Sequence, residues 1–215
     1  MDSASVVAVA LGSSAASLGS LRAAATRALP NGSRLTRSRA GVVVALVPAI
    51  EGDMREIAES ARQRVADALG DPETAAGAGG PRDTAVGAHV AMLQAEHALV
   101  VGRAMRGSGR TTAFQDLGAF CFVLGQPTRD IRDFSERVLG PLTEDDDLVR
   151  TLEVYLQAHG SLNEVARKLS LHRNTVRLRL RRIAKLTGAD LADADQRLAL
   201  HLALLGRQAL EQLAS

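Results

Sequence analysis

One stretch of the chain, Ser161–Thr187 (SLNEVARKLSLHRNTVRLRLRRIAKLT), restricts its own fold more tightly than any other. It opens as Ser161-Leu162-Asn163-Glu164, the S-x-x-E form of a capping box. In that device the Ser161 side chain accepts from the Glu164 amide and the Glu164 carboxylate reaches back to the Ser161 amide. The spacing predicts a short helix with Leu162, Val165, Ala166 and Leu169 on its buried side, a turn at Ser170-Leu171, and a second helix starting near His172. Advancing about 100° per residue from Arg173, the side chains of Val176, Leu180 and Ile183 fall within about 60° of one another. Arg173, Asn174, Arg177, Arg181 and Lys185 fall within about 120° on the side facing away. A short helix, a tight turn and a second helix with an apolar seam define a helix-turn-helix.

Charge follows the same division. Eight basic residues stand in this stretch against one acid, Glu164, so it carries +7; the chain as a whole carries +2, which leaves −5 elsewhere. A basic patch on an acidic body fits a polyanion. A helix about 21 Å long enters a major groove about 12 Å wide, and its N-terminal residues meet base edges. Arg173, Asn174, Thr175 and Arg177 are the candidate base readers, since Arg forks onto guanine and Asn onto adenine. Arg181, Arg182 and Lys185 lie further along and are placed at phosphates. Ser161 and His172, at the starts of the two helices, complete the candidate DNA-binding set. Arg179 sits at the edge of the apolar stripe and is read as an ion-pair residue; Leu178 projects near the basic side.

With no Trp, one Tyr and four Phe, the core must be built from Ala, Val, Leu and Ile. That composition disfavours the aromatic platforms on which single-stranded nucleic acid stacks. Cys121 is the only cysteine, which excludes an intrachain disulfide or a cysteine-based zinc site. The N-terminus lacks a charged n-region, and the apolar run Val6–Leu11 is too short to span a bilayer. The expectation is a cytoplasmic protein without membrane, metal or cofactor.

Upstream, turn residues divide the chain. Strands are expected at Val6–Leu11, Ser33–Arg37 (an edge), Gly41–Val47 and Thr74–Gly80, with weaker candidates at Thr111–Phe114 and within Leu117–Leu124. Helices are expected at Ala15–Leu29, Asp53–Leu69, from Asp83 or Thr84 to Arg106, and at Asp130–Leu139. Strand-helix-strand-strand-helix-strand is the ferredoxin-like order, so the fold class is α+β: one sheet with helices on one face, followed by an all-α helix-turn-helix domain. The boundary falls at Gly140–Thr143, giving domains 1–142 and 143–215. Thr143 is a candidate N-cap for a helix over Glu144–Ala158, whose acidic first turn suits the helix dipole. A last helix, Asp195–Leu213, is leucine-rich around most of its circumference and is expected to be buried, over the helix-turn-helix core or against a second subunit.

Residues Leu148–Leu205, above all His172-Arg173-Asn174-Thr175, the Arg-rich run to Ile183, Leu186-Thr187-Gly188 and the Asp195–Leu205 segment, closely resemble the C-terminal helix-turn-helix of PucR/CdaR-type bacterial regulators. Many members have Gly in the turn where this chain has Ser170. The stretches AAGAGGPRD and FQDLG resemble the degenerate GGDEF-like domain that precedes it in that family. The resemblance implies a sequence-specific transcriptional regulator of a bacterial metabolic operon, acting on double-stranded DNA as a homodimer or higher oligomer. It also implies a sensor domain further upstream, for which these 215 residues leave no room.

The rival reading is a nucleotide-binding or nucleotide-cyclising enzyme built on the N-terminal domain. Cyclases of the GGDEF type hold magnesium on acidic residues at a β-hairpin; the corresponding Ser38–Val47 contains neither Asp nor Glu, so no enzyme is expected. The Gly77-Ala78-Gly79-Gly80 cluster lacks the Lys-Ser/Thr of a phosphate loop and reads as a turn ending a small-residue strand. His89 and His97 lie two helical turns apart, too far to share one metal ion. No G-x-S-x-G surrounds any serine, and Cys121 reads as a core residue.

Overall fold

The computed structural model describes residues 5–39, 41–49 and 53–214. They form two compact units, one holding the chain up to Cys121 and again from Gln212, the other Phe122–Glu211.

The first unit runs β1 (Val6–Gly12), α1 (Leu18–Ala28), β2 (Arg34–Arg39), β3 (Val42–Pro48), α2 (Met54–Leu69), β4 (Ala75–Arg82), α3 (Ala85–Arg106) and β5 (Thr111–Ala113). The sheet order is β2-β3-β1-β4-β5, with β4–β5 parallel and every other pair antiparallel. The ferredoxin-like order and the edge position of β2 are therefore as expected. Three helix starts are capped by the short polar residues that precede them: Ser17 accepts from the Ser20 amide, Asp53 from Arg55 and Thr84 from Gly87.

Helices cover both faces of this sheet, not one. Val7, Val9 and Leu11 of β1 pack with α1 and α2, while Ala8 and Ala10 pack with Ala91, Ala95 and Leu99 of α3. The physical reason lies in two patterns. β1 is apolar at both parities, so both of its faces need cover. β4 is stripped of side chains where α3 crosses it: a Cβ on Gly77 would overlap the carbonyl oxygen of Ala95, and one on Gly79 that of Ala91. These glycines lie inside the strand, not in a turn after it, and their role is close approach of a helix. Gly102 of α3 repeats the device against the Thr112 side chain.

The strand expected within Leu117–Leu124 does not form. The chain instead makes a 3₁₀ turn at Phe114–Leu117 and a short helix α4 (Phe120–Leu124). Gly118 at φ 59° takes the backbone out of the extended region, and the Asp116 carboxylate accepts from the Ala113 amide at 3.3 Å, closing the turn.

The second unit holds α5 (Thr128–Leu139), a 3₁₀ turn at Gly140–Glu144, α6 (Asp146–Gln157), α7 (Leu162–Leu169), α8 (Arg173–Thr187) and all but the last residues of α9 (Ala194–Ala214). Here α5 sits with the helical unit, although the junction expected at Gly140–Thr143 assigns it to the sheet domain. The cause is packing that local signals do not show. The Ser135 hydroxyl donates to the Ala203 carbonyl at 3.0 Å, and Gly206 of α9 makes room for Ser135 and Ile131. Thr143 does not cap α6; its hydroxyl donates to the Gly140 carbonyl at 3.0 Å, and Asp145 caps by accepting from the Leu148 amide at 3.1 Å.

The core of this unit joins Leu139, Leu142, Leu148, Leu152, Val165, Val176, Ile183, Leu200 and Leu204. The buried positions of α9 are Leu200, Ala203, Leu204, Gly206 and Ala209, whereas Leu198, in the first turns of the helix, is 56% exposed. Its leucines outnumber the positions that face the core, so burial all round is not realised.

Candidate nucleic-acid interface

α7 and α8 build the site, and each junction can be traced to a few atoms. Ser161 caps α7, its hydroxyl accepting from the Glu164 amide at 3.4 Å. The reciprocal half of the capping box is not made. The Ser161 amide donates to the Ala158 carbonyl at 2.9 Å, and Glu164 pairs with Lys168 at 3.1 Å along the helix. At the other end Ser170 adopts φ 54°, ψ 40°, the left-handed conformation that glycine usually supplies. Two backbone bonds close the turn: Ser170 N–H to the Arg167 carbonyl at 3.3 Å and Leu171 N–H to that of Ala166 at 2.9 Å.

α8 then starts with its own cap. Nδ1 of His172 accepts from the Asn174 amide at 3.2 Å, so this side chain fixes where the helix begins. Val176 and Ile183 are fully buried and Leu180 nearly so. Arg173, Asn174, Thr175, Arg177, Arg181, Arg182 and Lys185 are exposed. The apolar stripe thus seats the helix on the core and turns the basic set to solvent. Within that set, Arg177 donates to the Asn174 side-chain oxygen at 3.1 Å, which aligns two of the candidate base readers.

Three cations of the segment already have acidic partners. Lys168 has Glu164; Arg179 meets Asp147 at 2.6 Å and donates to the Thr151 hydroxyl at 3.2 Å; Arg182 approaches Asp145 at 3.6 Å. The ion-pair reading of Arg179 is therefore correct, and Arg182 is shared between an acid and solvent. Arg173, Arg177, Arg181 and Lys185 form no ion pair among the described residues. Asp145 and Asp147 are the part that sequence reasoning missed. They were legible as acids at the start of α6, but a tie to residues more than thirty positions away has no local signature. After Gly188 closes α8 in the left-handed conformation, Asp193 caps the next helix. Amides of Gln196 and Asp195 hold its carboxyl below the ordinary Asp range.

The sheet unit places its titratable groups differently. The buried Asp71 carboxylate accepts from the Ser13 hydroxyl, from the Glu73 amide at 3.0 Å and from the Thr74 hydroxyl at 3.4 Å. His89 is exposed, while burial pushes the His97 pKa down. Cys121 is half-buried, donates to the Phe114 carbonyl at 2.8 Å, and burial pushes its thiol up, away from a reactive thiolate. Among the described residues no group of His, Cys, Asp and Glu is arranged to hold a metal ion, and no helix is long and apolar enough to cross a membrane.

Residues 148–205 match the family model of the PucR C-terminal helix-turn-helix domain. The purine catabolism regulatory protein of Bacillus subtilis is 39% identical over 82 residues, which cover 36% of this chain and 15% of that protein. An uncharacterised protein of Thermomonospora curvata is 41% identical over 81 residues, 36% of this chain and 45% of its own length. The chain thus spans less than half the length of either relative. Among solved structures, a regulator of polyketide synthase expression from Bifidobacterium adolescentis aligns at 23% identity with a TM-score of 0.45, covering 95% of this chain and 86% of that one.

Proposed function

We propose, from the PucR-type helix-turn-helix domain that residues 148–205 form, that the chain is a sequence-specific DNA-binding regulator of transcription in the cytoplasm. The observation that carries the reading is the division of α8: Val176, Leu180 and Ile183 locked in the core, and Arg173, Arg177, Arg181 and Lys185 exposed without acidic partners. Exposed cations left unpaired on one helix face meet a regular array of phosphates at little desolvation cost. In this reading the N-terminal half of α8 lies at base edges in the major groove, with Arg173, Asn174, Thr175 and Arg177 reading them. Arg181, Lys185 and, in part, Arg182 contact phosphates, and Ser161 and His172 stand at the helix starts beside the backbone. The name of the Bacillus relative supports a metabolic operon as the target. The sheet unit, read as a degenerate GGDEF-like domain, serves signalling or self-association, and two copies read paired half-sites.

Binding measured by fluorescence anisotropy as a function of salt tests this. The logarithm of affinity should fall steeply with the logarithm of salt concentration. Arg177→Ala should cost about 1–3 kcal/mol on the preferred site and relax discrimination there. Lys185→Ala should weaken all sequences alike and reduce the salt slope by about 1. A flat salt response, or identical effects of both variants on specific and random duplexes, contradicts the assignment.

A further inference from the structure

A second exposed surface in the helical unit is apolar. Phe122 is 78% exposed and Leu198 56% exposed, two of the large hydrophobic side chains that the fold leaves in solvent. Beside Phe122 runs a groove of about 340 Å³ lined by Phe122, Ile131, Phe134 and Leu202 and bordered by Asp130 and Arg137. Leu198 and Leu202 lie one turn apart on α9 and extend the same face. This surface lies outside the basic helix and has no part in the DNA reading above.

The charges along it are arranged in a particular way. Asp130, Phe134 and Arg137 follow one another at i, i+4 and i+7 on α5, so they share a stripe with an acid at one end, a ring in the middle and a base at the other. Arg137 lies over the Phe134 ring at 5.8 Å, and neither Asp130 nor Arg137 forms an ion pair among the described residues. A stripe with opposite charges at its two ends is complementary to itself when reversed. A two-fold axis crossing α5 between Asp133 and Phe134 sets Asp130 of each copy opposite Arg137 of the other and brings the two Phe134 rings together at the centre. A parallel arrangement would set like charges side by side.

We propose that this face is the docking site for a second copy of the chain, α5 against α5, antiparallel about a two-fold axis. The charged ends set the register, and Phe122, Phe134, Leu198 and Leu202 supply the apolar area. The inference deepens the reading of the chain as a dimeric DNA reader and rests on self-association, not on which bases are read.

Sedimentation equilibrium of the full chain tests it, with Asp130→Arg, Arg137→Asp and the double variant beside the wild type. Binding to a short random duplex and far-ultraviolet circular dichroism report that each variant is folded. The wild type should be a dimer. Each single reversal should place like charges opposite each other and raise the dimer dissociation constant at least about tenfold. The double reversal restores opposite charges across the axis and should recover wild-type association. A wild type that stays monomeric overturns the proposal, whether or not it binds DNA. A dimer indifferent to both single reversals overturns this face while leaving the DNA reading intact. Failure of a folded double variant to recover overturns the antiparallel register. Loss of duplex binding by a wild type that still dimerises counts against the DNA reading alone and leaves the proposed contact standing.

Discussion

The two units spend their charged and small residues in opposite ways. In the sheet unit, glycine and alanine let backbones touch, and two acids are held by other elements or neighbours: Asp71 is buried under Ser13 and Thr74, and Glu59 is held by Arg62 and Thr111, while Arg22, Arg27, Arg34 and Arg110 are exposed on several different elements. In the helical unit the core is filled by large aliphatic side chains, and several cations of α8 stand on its outside without acidic partners among the described residues. The turns differ as well. Every described positive-φ residue of the sheet unit is glycine, whereas the helical unit uses His159 and Ser170 in left-handed turns on either side of α7. The contrast teaches where function shows: a unit whose exposed charges are scattered over several elements presents few chemical clues, and one that gathers like charges on one face of a single helix presents many.

The contrast is broken most forcefully by changing volume in opposite directions. Gly77→Val in the sheet unit forces a side chain into the Ala95 carbonyl of α3, a backbone atom that cannot swing aside. The expected loss is about 3 kcal/mol or more. Ile183→Ala in the helical unit empties a fully buried site on α8 and should cost about 2–5 kcal/mol, with DNA affinity falling for every sequence alike. Urea denaturation monitored by circular dichroism reads both. If Gly77→Val is tolerated within 1 kcal/mol, the close approach of α3 to β4 is not what holds that layer.

How much of this was legible beforehand follows the same line. The helix-turn-helix could be traced nearly residue by residue, because its signals are local: a cap at Ser161, an apolar period through Ile183, a stop at Gly188. The strand order up to β4 was legible for a similar reason, since each strand is bounded by Gly, Pro or Asn. What escaped was non-local. That α3 lies across the opposite sheet face depends on Gly77 and Gly79 meeting Ala95 and Ala91, and the glycines alone read as a turn. That α5 joins the helical unit depends on Ser135 reaching Ala203, 68 residues away. Leu198 pointed the other way: composition placed it in a core, and the first turns of its helix leave it 56% exposed.

Ser170 sharpens the comparison at a smaller scale. A left-handed residue with a Cβ is strained by about 1–2 kcal/mol, part of which glycine returns as flexibility of the unfolded chain. Ser170→Gly should therefore stabilise the helical unit by up to about 1 kcal/mol, while Ser170→Val should destabilise it. Thermal melts of both variants decide it. A lower midpoint for the glycine variant would show that the serine hydroxyl contributes more than its backbone conformation costs.

The smallest effect expected is electrostatic and belongs to the sheet unit. Glu59 is lowered from 4.5 to about 2, first by the hydrogen bonds that Arg62 donates, then by the Thr111 hydroxyl at 2.6 Å, against a partial burial that opposes them. A carboxyl whose folded pKa lies below its unfolded value adds stability that is complete above the unfolded pKa. That stability drains away as pH falls from 4.5 towards 2, because the unfolded chain takes up the proton first. Since Glu59 is partly exposed, solvent screening keeps the contribution below about 1 kcal/mol. Glu59→Gln retains a side chain that Thr111 can still bond and removes the charge. Its urea midpoint should lose part of the wild-type slope in that acidic window and differ least from wild type at the window's lower end. Equal slopes for the two proteins would mean that Arg62 holds Glu59 equally well in the unfolded chain, three residues away on the same helix. The pairing would then be a local helical contact and no part of what folding adds to the sheet unit.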